Sequence, residues 1–434
     1  MHLRTASKFF LALILMPCLS WAEPVHLQGE KEIIWRDFLG VNTHFLWFTP
    51  NQYALQMQHL KALGLEWARV DVHWGLHELS EGQYRLAELD RLVADLEAQQ
   101  LKTLIYVVGS ATHATSAPKG SKTPDQYPPK NPLLFADMMA KMVERYPYVA
   151  AWQVWNEPNI PSYWRPNEDA KAYGHLLLTT VQHVRSRAPT TQLIMGGMAY
   201  YSQMPIKGGL MLEELGKLGV AQLNITAAYH PYTHYPEGNE KGKHDFLVHS
   251  QQLNSLIRSV KMPIWATEWG WSSYQGPKEH QEIIGEQGQA DFVLRRLALM
   301  SALDYDKVFL FALSDLDSRA SARDQHYGLL DLQGNPKPVY QALQRFLETT
   351  GARLKPGRKP HLVDMPSDLY SVSWQRDDGK NLWMFWSENG QEVSLDAIED
   401  AVLVDPLAGT SQVLSAKQHK LTLKTKPSLQ VLIW

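Results

Sequence analysis

The stretch Trp152-Gln-Val-Trp-Asn-Glu-Pro-Asn159 ends a short apolar run with a glutamate, and Trp265-Ala-Thr-Glu-Trp-Gly-Trp271 repeats that arrangement. Each stretch is typical of a buried strand whose carboxyl end carries a polar residue, here between indoles. The two glutamates, Glu157 and Glu268, are 111 residues apart, which is the length of three strand–helix units of about 37 residues. This spacing predicts that they end strands four and seven of one parallel barrel.

Outward from these two stretches, short apolar runs alternate with amphipathic segments along the chain. One such segment carries Leu86, Leu89, Leu92, Val93 and Leu96 at helical spacing. Eight strand–helix units predict an α/β fold of the (β/α)₈ barrel type. A doubly wound sheet of six strands would not account for all eight units. No Gly-rich phosphate-binding fingerprint follows the first strand. The predicted strands are Phe38–Phe45, Trp67–Trp74, Lys102–Gly109, Ala150–Trp155, Gln192–Ala199, Ile225–Tyr232, Pro263–Trp269 and Lys307–Ser314.

The sequence pattern changes after the barrel, which we place at residues 23–350. Residues 351–360 are rich in Pro, Gly and charge and are predicted to form a linker. Residues 361–434 then show short alternating strands separated by turns such as Asp377-Asp378-Gly379, which predicts a small β-sandwich. The role of this module stays open between a structural brace and a sugar-binding surface built on Trp374, Trp383 or Trp386.

Residues 1–22 have the features of a secretory signal peptide. Arg4 and Lys8 precede the apolar run Phe9–Met16, and Ser20-Trp21-Ala22 is a small-x-small cleavage site. We therefore expect a periplasmic protein; the alternative is an uncleaved anchor, for which the apolar run is short. Cys18 is the only cysteine and would be removed, so the mature chain has no disulfide, thiolate metal site or cysteine nucleophile.

Composition excludes some classes of partner. The 434 residues are 44% hydrophobic and 20% charged, as in an ordinary globular protein. Removing residues 1–22 takes away two basic residues and leaves 40 basic against 45 acidic ones, with no concentrated basic stripe. We expect no nucleic-acid partner and a substrate that is neutral or weakly charged.

Paired carboxyl groups are what glycosidic cleavage requires. One carboxylic acid protonates the departing oxygen, and one carboxylate attacks or stabilises the anomeric carbon. A glutamate against indole surface has its pKa raised by desolvation, which suits the acid. A single rim glutamate is also compatible with a salt bridge on a loop, but Glu157 and Glu268 as a pair predict a glycosidase active site.

The residues around both glutamates resemble a known group. Asn156-Glu157-Pro158 and Thr267-Glu268-Trp269 look like the acid/base and nucleophile motifs of clan A glycoside hydrolases, and the chain is similar to family 39 within that clan. The resemblance covers nearly the whole mature chain and is carried by the stretches Asp37–Asn42, Val149–Asn159, Gly288–Asp291 and Leu313–Asp317. It implies a retaining hydrolase with Glu157 as acid/base and Glu268 as nucleophile.

Within family 39 the chain resembles endoglycosidases of biofilm exopolysaccharide systems, which implies an endo-acting enzyme on a mannose-containing polymer. An association with the machinery of exopolysaccharide biosynthesis or export is compatible with this resemblance. The alternatives are an exo-acting β-glycosidase of the xylosidase type and a non-hydrolytic carbohydrate-binding partner in biosynthesis. The presence of both glutamates argues against the last, because a pure binder needs neither.

The clan pattern also implies supporting residues. Arg69 matches the arginine that orients the nucleophile and keeps it ionised, and Asn156 matches the residue that binds the sugar 2-hydroxyl. His230 and Tyr232 share a strand face where the clan contacts the nucleophile and the sugar. Trp47 and Trp269 are the predicted sugar platforms among the rim tryptophans.

No cofactor and no metal are expected. His230 and His234 have the spacing of a metal pair, but no acidic third ligand lies at a helpful distance along the sequence. The chain departs from the clan pattern at strand eight, which ends Phe309-Leu-Phe-Ala-Leu-Ser314 without the tryptophan that many members carry. This puts in doubt the floor of the sugar subsite at the reaction centre, and leaves the reaction itself unaffected.

Overall fold

The computed structural model describes residues 23–199, 211–277, 282–396, 398 and 400–434. The predicted signal peptide, with Cys18, lies outside these residues. Within them, none of the helices combines the length and the apolar composition needed to cross a bilayer.

A closed barrel of eight parallel strands forms the larger part of the structure. The fifth strand is interrupted, and its second half pairs with the sixth strand while its first half pairs with the fourth. Hydrogen bonds from Met195 N to Thr226 O and from Thr226 N to Leu193 O close the barrel between them. The predicted fold class is thereby confirmed. The barrel strands, in order, are Leu39–Thr43, Trp67–His73, Lys102–Val108, Ala151–Val154, Leu193–Met195 with Met198–Ala199, Ala227–His230, Ile264–Trp269 and Lys307–Leu310.

Helices cover the outside of the barrel with the faces that the sequence periodicity predicts. The helix Ala87–Ala98 buries Leu89, Leu92, Val93 and Leu96. The helix Pro50–Ala62 begins with a capping box between Thr49 and Gln52. The helices are Trp35–Phe38, Pro50–Ala62, Trp74–His77, Ala87–Ala98, Pro132–Arg145, Ala170–Arg187, Met211–Lys217, Asp245–Ser259, Gly285–Ser301 and Pro338–Thr350, with 3₁₀ turns at Phe45–Trp47, Pro124–Gln126, Val220–Leu223 and Asp324–His326.

Two antiparallel-rich sheets make up the β module. The larger sheet contains Ile33–Ile34, Arg353–Lys355, Tyr370–Arg376, Asn381–Trp386, Gln430–Ile433, Ala401–Asp405 and Thr410–Leu414, with Val25–Gln28 added in parallel to Tyr370–Arg376. The smaller sheet contains His361–Asp364, Glu392–Asp396 and Lys420–Lys424. A two-stranded hairpin, Glu78–Ser80 with Gln83–Tyr84, lies apart from both.

The module differs in three places from the sequence expectation. Arg353–Lys355, inside the predicted linker 351–360, is a strand that pairs on both sides. Val25–Gln28 and Ile33–Ile34, both assigned to the barrel from the sequence, pair with the module instead. The three segments are too short for periodicity to reveal, and their partners are far away in the sequence.

Three of the four tryptophans of the module are buried against the barrel or within the module, and Trp434 is partly exposed. Trp374 Nε1 donates to Ser301 Oγ at 3.0 Å, and Trp386 Nε1 donates to Glu237 Oε1 at 2.8 Å. Trp374, Trp383 and Trp386 are each 0% exposed, so none offers a ring face to a sugar. These contacts favour the brace over the sugar-binding surface.

Candidate active site

Glu157 and Glu268 reach the same point at the carboxyl end of the barrel. Glu268 lies within the strand Ile264–Trp269, whereas Glu157 follows the strand Ala151–Val154 by three residues. Trp155 and Glu157 both have left-handed backbone, with φ of 76° and 42°. Because non-glycine residues adopt this conformation at a cost, its occurrence twice beside Glu157 marks a constrained turn of the kind found at functional sites.

The two carboxyl groups lie close together in a buried setting. One carboxylate oxygen of Glu157, one of Glu268 and a ring nitrogen of His230 all lie within 4.8 Å of one another. Glu157 is 8% exposed and Glu268 is 7% exposed, while His230 is fully buried between them. The sequence expectation that these two glutamates meet is therefore correct in the structure.

Arg69 organises the side of the site that carries Glu268. Its guanidinium donates to Glu268 Oε1 at 2.7 Å, Asn42 Oδ1 at 2.6 Å, Gln153 Oε1 at 2.9 Å and Asn156 Oδ1 at 2.9 Å. Arg69 is 0% exposed. A buried guanidinium with four of its five N–H groups hydrogen-bonded holds its partners in fixed positions.

Asn156 is oriented by this contact. Its Oδ1 accepts from Arg69, which turns its Nδ2 donor away from the guanidinium. The Nδ2 donor of Asn156 is therefore not used by Arg69, and the binding of a sugar hydroxyl by this amide stays a prediction.

Tyr232 completes the contacts of Glu268. Its hydroxyl donates to Glu268 Oε2 at 3.3 Å, and His230 Nδ1 lies 3.5 Å from the same oxygen. The structure therefore brings together six predicted site residues: Glu157, Glu268, Arg69, Asn156, His230 and Tyr232.

A chain of hydrogen bonds connects Arg69 to Glu157 through His230. Gln153 accepts from Arg69 through Oε1, so its Nε2 donates to Thr267 Oγ1 at 3.2 Å. Thr267 Oγ1 lies 3.0 Å from His230 Nε2; if the Thr267 hydroxyl donates there, the proton of His230 is on Nδ1. That proton is donated to Glu157 Oε1 at 2.8 Å. Glu157 Oε2 is then the oxygen that carries the acid proton.

Gly197 is required by this chain of contacts. A Cβ at residue 197 would lie 2.1 Å from His230 Nε2 and 2.7 Å from Thr267 Oγ1. Any side chain there would displace the hydrogen bond between His230 and Thr267. The carbonyl oxygen of Gly197 also accepts from Glu157 N at 3.0 Å, which anchors the turn.

Burial moves the protonation equilibria of two groups toward the neutral form. It raises the pKa of Glu157 from 4.5 to about 8, against an opposing effect of the Arg69 charge. It also lowers the pKa of His230 from 6.5 to about 4. At neutral pH Glu157 therefore carries a proton and His230 is an uncharged imidazole, which is the state that a general acid and its hydrogen-bond partner need.

One group of side chains in the described residues is close enough to hold a metal ion, namely Glu157, His230 and Glu268. The guanidinium of Arg69 already supplies a positive charge 2.7 Å from Glu268. His234 does not belong to this group, so the pair considered from the sequence is not assembled. The expectation that no metal takes part stays a prediction.

The tryptophans at the rim are mostly packing residues, which corrects one expectation. Trp269 is 0% exposed and belongs to the hydrophobic core, so it offers no face to a sugar. A ring next to a catalytic motif in the sequence can still point into the barrel wall, because alternate residues of a strand face opposite sides. Trp47 is partly exposed, so its role as a sugar platform stays a prediction.

Several aromatic rings lie near the end of strand eight, where the sequence lacks the tryptophan that many clan members carry. Phe311, just after the last barrel strand, lies 5.2 Å from the ring of Tyr327. Tyr327 lies 6.5 Å from the ring of Tyr232, and His44 lies 5.4 Å from that of Phe311. These rings stand near the place where many clan members have a tryptophan.

Four site residues escaped the sequence reasoning. Asn42, Gln153 and Thr267 bind Arg69 or His230, and Asp71 lies one inward-facing position beyond Arg69. The available signal was polarity inside strands that are otherwise apolar, since each of the four is a buried polar residue in or beside a barrel strand.

The comparisons with known proteins agree with this geometry. The model of the cellulase family, glycosyl hydrolase family 5, matches residues 27–298. No curated protein sequence matches the chain.

Solved structures with the same fold include three glycoside hydrolases. A family 39 enzyme from Bacteroides cellulosilyticus WH2 is 21% identical, with a TM-score of 0.70 over 92% of this chain and 82% of that one. A monomeric β-xylosidase from Caulobacter crescentus CB15 is 14% identical, with a TM-score of 0.65 over 95% of this chain and 99% of that one. A family 30 endoxylanase from Clostridium papyrosolvens C71 is 11% identical, with a TM-score of 0.60 over 95% of this chain and 99% of that one.

At these sequence identities the solved structures show a shared fold and nothing narrower. The resemblance to family 39 therefore holds at the level of clan A and is not shown at the level of the family. The family model covers more than half of the chain and reaches from the first barrel strand beyond Glu268. The chain belongs to the cellulase family, glycosyl hydrolase family 5, and is a clan A glycoside hydrolase.

Proposed function

We propose that the protein is a retaining glycoside hydrolase in which Glu157 is the acid/base and Glu268 the nucleophile. The observation that carries this proposal is the approach of their carboxylate oxygens to within 4.8 Å. Retaining enzymes have carboxyl groups about 5–5.5 Å apart, whereas inverting enzymes need about 6.5–9.5 Å to admit a water molecule. The separation favours direct attack by Glu268.

The first step breaks the glycosidic bond. Glu268 attacks the anomeric carbon and forms a glycosyl ester, while Glu157 gives its proton to the departing oxygen. Arg69 and Tyr232 hold the attacking carboxylate, since both donate to it. Asn156 supports the transition state through the sugar 2-hydroxyl.

The second step restores the enzyme. Glu157, now a carboxylate, takes a proton from water as that water attacks the anomeric carbon and releases Glu268. His230 donates its Nδ1 proton to Glu157 Oε1 in both steps, so the imidazole stabilises the carboxylate without being charged itself. Two inversions at one carbon leave its configuration unchanged.

The proposed substrate is a mannose-containing exopolysaccharide, cut within the chain. Its support is the resemblance of the stretches Asp37–Asn42, Val149–Asn159, Gly288–Asp291 and Leu313–Asp317 to the endoglycosidase of the Psl biofilm system. The exo-acting alternative has its own support, because one solved structure of this fold is described as a β-xylosidase. We place the enzyme in the periplasm, alongside polymer synthesis or export, on the strength of residues 1–22.

The experiment uses purified exopolysaccharides, including a mannose–glucose–rhamnose polymer, with size-exclusion chromatography over time and mass spectrometry of the products. Endo action lowers the average mass of the polymer early, before much reducing sugar is released. Steady release of monosaccharide with the polymer peak unmoved would favour the exo-acting enzyme. The absence of any turnover would favour the non-hydrolytic binding partner.

A further inference from the structure

The loop after barrel strand six carries Tyr232 and, five residues later, a buried glutamate that has no part in the chemistry described above. Glu237 is 5% exposed, although charged side chains on loops normally lie in water. A carboxylate withdrawn from water destabilises the fold unless hydrogen-bond donors or opposite charges replace the water. The partners of Glu237 therefore indicate what this loop is attached to.

Those partners come from the β module and from the helix after strand seven. Trp386 of the module donates from Nε1 to Glu237 Oε1 at 2.8 Å. Its indole is held in turn by the ring of Tyr370, which stacks on it at 5.6 Å with an angle of 9° between the planes. Arg295, on the helix, brings Nη1 to 3.4 Å from the same Glu237 oxygen. The outer end of the loop is thus held by two elements, one of which belongs to the module.

The inner end of the loop is held by Arg296, the next residue of the same helix. Its guanidinium donates to Pro231 O and to Pro236 O, both at 2.7 Å, and also to the hydroxyl of Thr233. Arg296 is 0% exposed. Because these acceptors flank Tyr232 on both sides, the backbone that carries the tyrosine is fixed by buried, charge-assisted hydrogen bonds.

The contact that Tyr232 makes with the nucleophile is sensitive to the path of this loop. Its hydroxyl donates to Glu268 Oε2 at 3.3 Å, whereas hydrogen bonds between a hydroxyl and an oxygen are usually 2.5–3.0 Å long. A small outward movement of the loop would therefore break the contact. The attachment of the loop at Glu237 limits such a movement.

We propose that the β module positions Tyr232 against the nucleophile through the hydrogen bond between Trp386 and Glu237. Trp386 and Glu237 are positioning residues, since both act through the loop and not on the sugar. This inference rests on the proposed function and goes beyond it, because it gives the module a part in the reaction in addition to its role as a brace.

The test compares two tryptophans that each donate one hydrogen bond from the module to the barrel. Trp374, also 0% exposed, donates to Ser301 Oγ at 3.0 Å, at the end of the helix and outside the loop. Trp386→Phe and Trp374→Phe each remove one such bond and keep an aromatic ring, so both should lower the urea concentration of half-unfolding. Only Trp386→Phe is expected to lower kcat on 4-nitrophenyl mono- and diglycosides of β-linked mannose, glucose and xylose, by about three- to tenfold with KM within about twofold.

A double-mutant cycle shows whether the effect passes through Tyr232. Tyr232→Phe is expected to lower kcat about tenfold, and adding Trp386→Phe to it should lower kcat no further, because the positioned contact is already absent. Two variants at Glu237 test the other side of the bond. Glu237→Gln keeps an acceptor for the indole and should keep kcat within about twofold, whereas Glu237→Met has no such acceptor and should reproduce the loss seen in Trp386→Phe.

The outcomes separate this inference from the proposed function. A wild-type kcat in both Trp386→Phe and Glu237→Met, an equal loss of kcat in Trp374→Phe, or losses that multiply in the double variant would overturn the inference and leave the hydrolase intact. A wild-type enzyme that cleaves neither aryl glycosides nor polymer removes the proposed function, and this inference with it.

Discussion

Arg69 and Asp71 are two residues apart on one barrel strand, face the same interior and are both buried, yet their surroundings are opposite. The guanidinium of Arg69 donates four hydrogen bonds, whereas no described residue donates one to Asp71 Oδ1. A fully bonded group fixes geometry before the substrate arrives, which suits the chemistry of bond cleavage. An unbonded, buried carboxylate oxygen contributes only the cost of its removal from water. The comparison divides the strand into a reacting part at Arg69 and an unpaired part at Asp71.

The largest expected effect comes from the reacting part. Glu268→Gln should lower kcat roughly 10⁴-fold or more for every substrate, because no glycosyl ester can form. Glu157→Gln should be as harmful with natural substrates but should spare the first step with an activated aryl leaving group, which needs no proton. Azide is expected to rescue the second step in Glu157→Gln only. Equal losses with both substrates and no rescue would count against separate roles.

The next effect concerns the free energy of unfolding, and it compares a substitution at Arg69 with one at Asp71. Arg69→Met should lower the free energy of unfolding by about 3–5 kcal/mol, because it leaves several buried acceptors and one carboxylate unpaired. Asp71→Asn should be neutral or stabilising, because it removes a buried charge that has no donor. Urea unfolding measures both. A loss of several kcal/mol in Asp71→Asn would show that the carboxylate is bonded in the free protein.

A smaller effect is expected from Thr267, which acts through His230. Thr267→Val keeps the shape but removes the hydroxyl beside His230 Nε2, so the imidazole loses a hydrogen-bond partner at that nitrogen. We expect kcat to fall about tenfold, the equivalent of one neutral hydrogen bond, and the alkaline limb of the pH profile to move. Thr267→Ser keeps the hydroxyl and should restore both. A Val variant with normal kcat and pH profile would leave Thr267 with a packing role alone.

A pH dependence of stability is also expected. Burial raises the pKa of Glu157 to about 8 in the folded protein, above its ordinary value of 4.5, so the folded state holds a proton that the unfolded state releases. The stabilisation from that proton is complete below pH 4.5 and is lost as pH rises through 8. The unfolding free energy of Glu157→Gln, relative to wild type, should therefore increase between pH 5 and pH 8. A constant difference over that range would contradict the raised pKa.

The features of the fold and site that could be predicted from the sequence are the local ones. The barrel strands and the two glutamates follow from period and spacing, since apolar runs and strand ends are local features. Trp269 was misassigned although the alternation of a strand predicts that, next to an inward-facing Glu268, its ring faces the barrel wall. The hydrogen bonds of Gln153 and Thr267 and the missing donors of Asp71 depend on residues brought together by barrel closure. Arg353–Lys355 and Val25–Gln28 were missed because their strand partners are far away in the sequence.

The most direct test of the central claim is the configuration of the newly formed anomer, followed by proton NMR in the first minutes of hydrolysis. If Glu157 and Glu268 act as acid/base and nucleophile, the first product has the anomeric configuration of the substrate and the other anomer grows in only by mutarotation. A first product of inverted configuration would contradict the account, because it would require a water molecule between two carboxyl groups whose oxygens lie within 4.8 Å of each other.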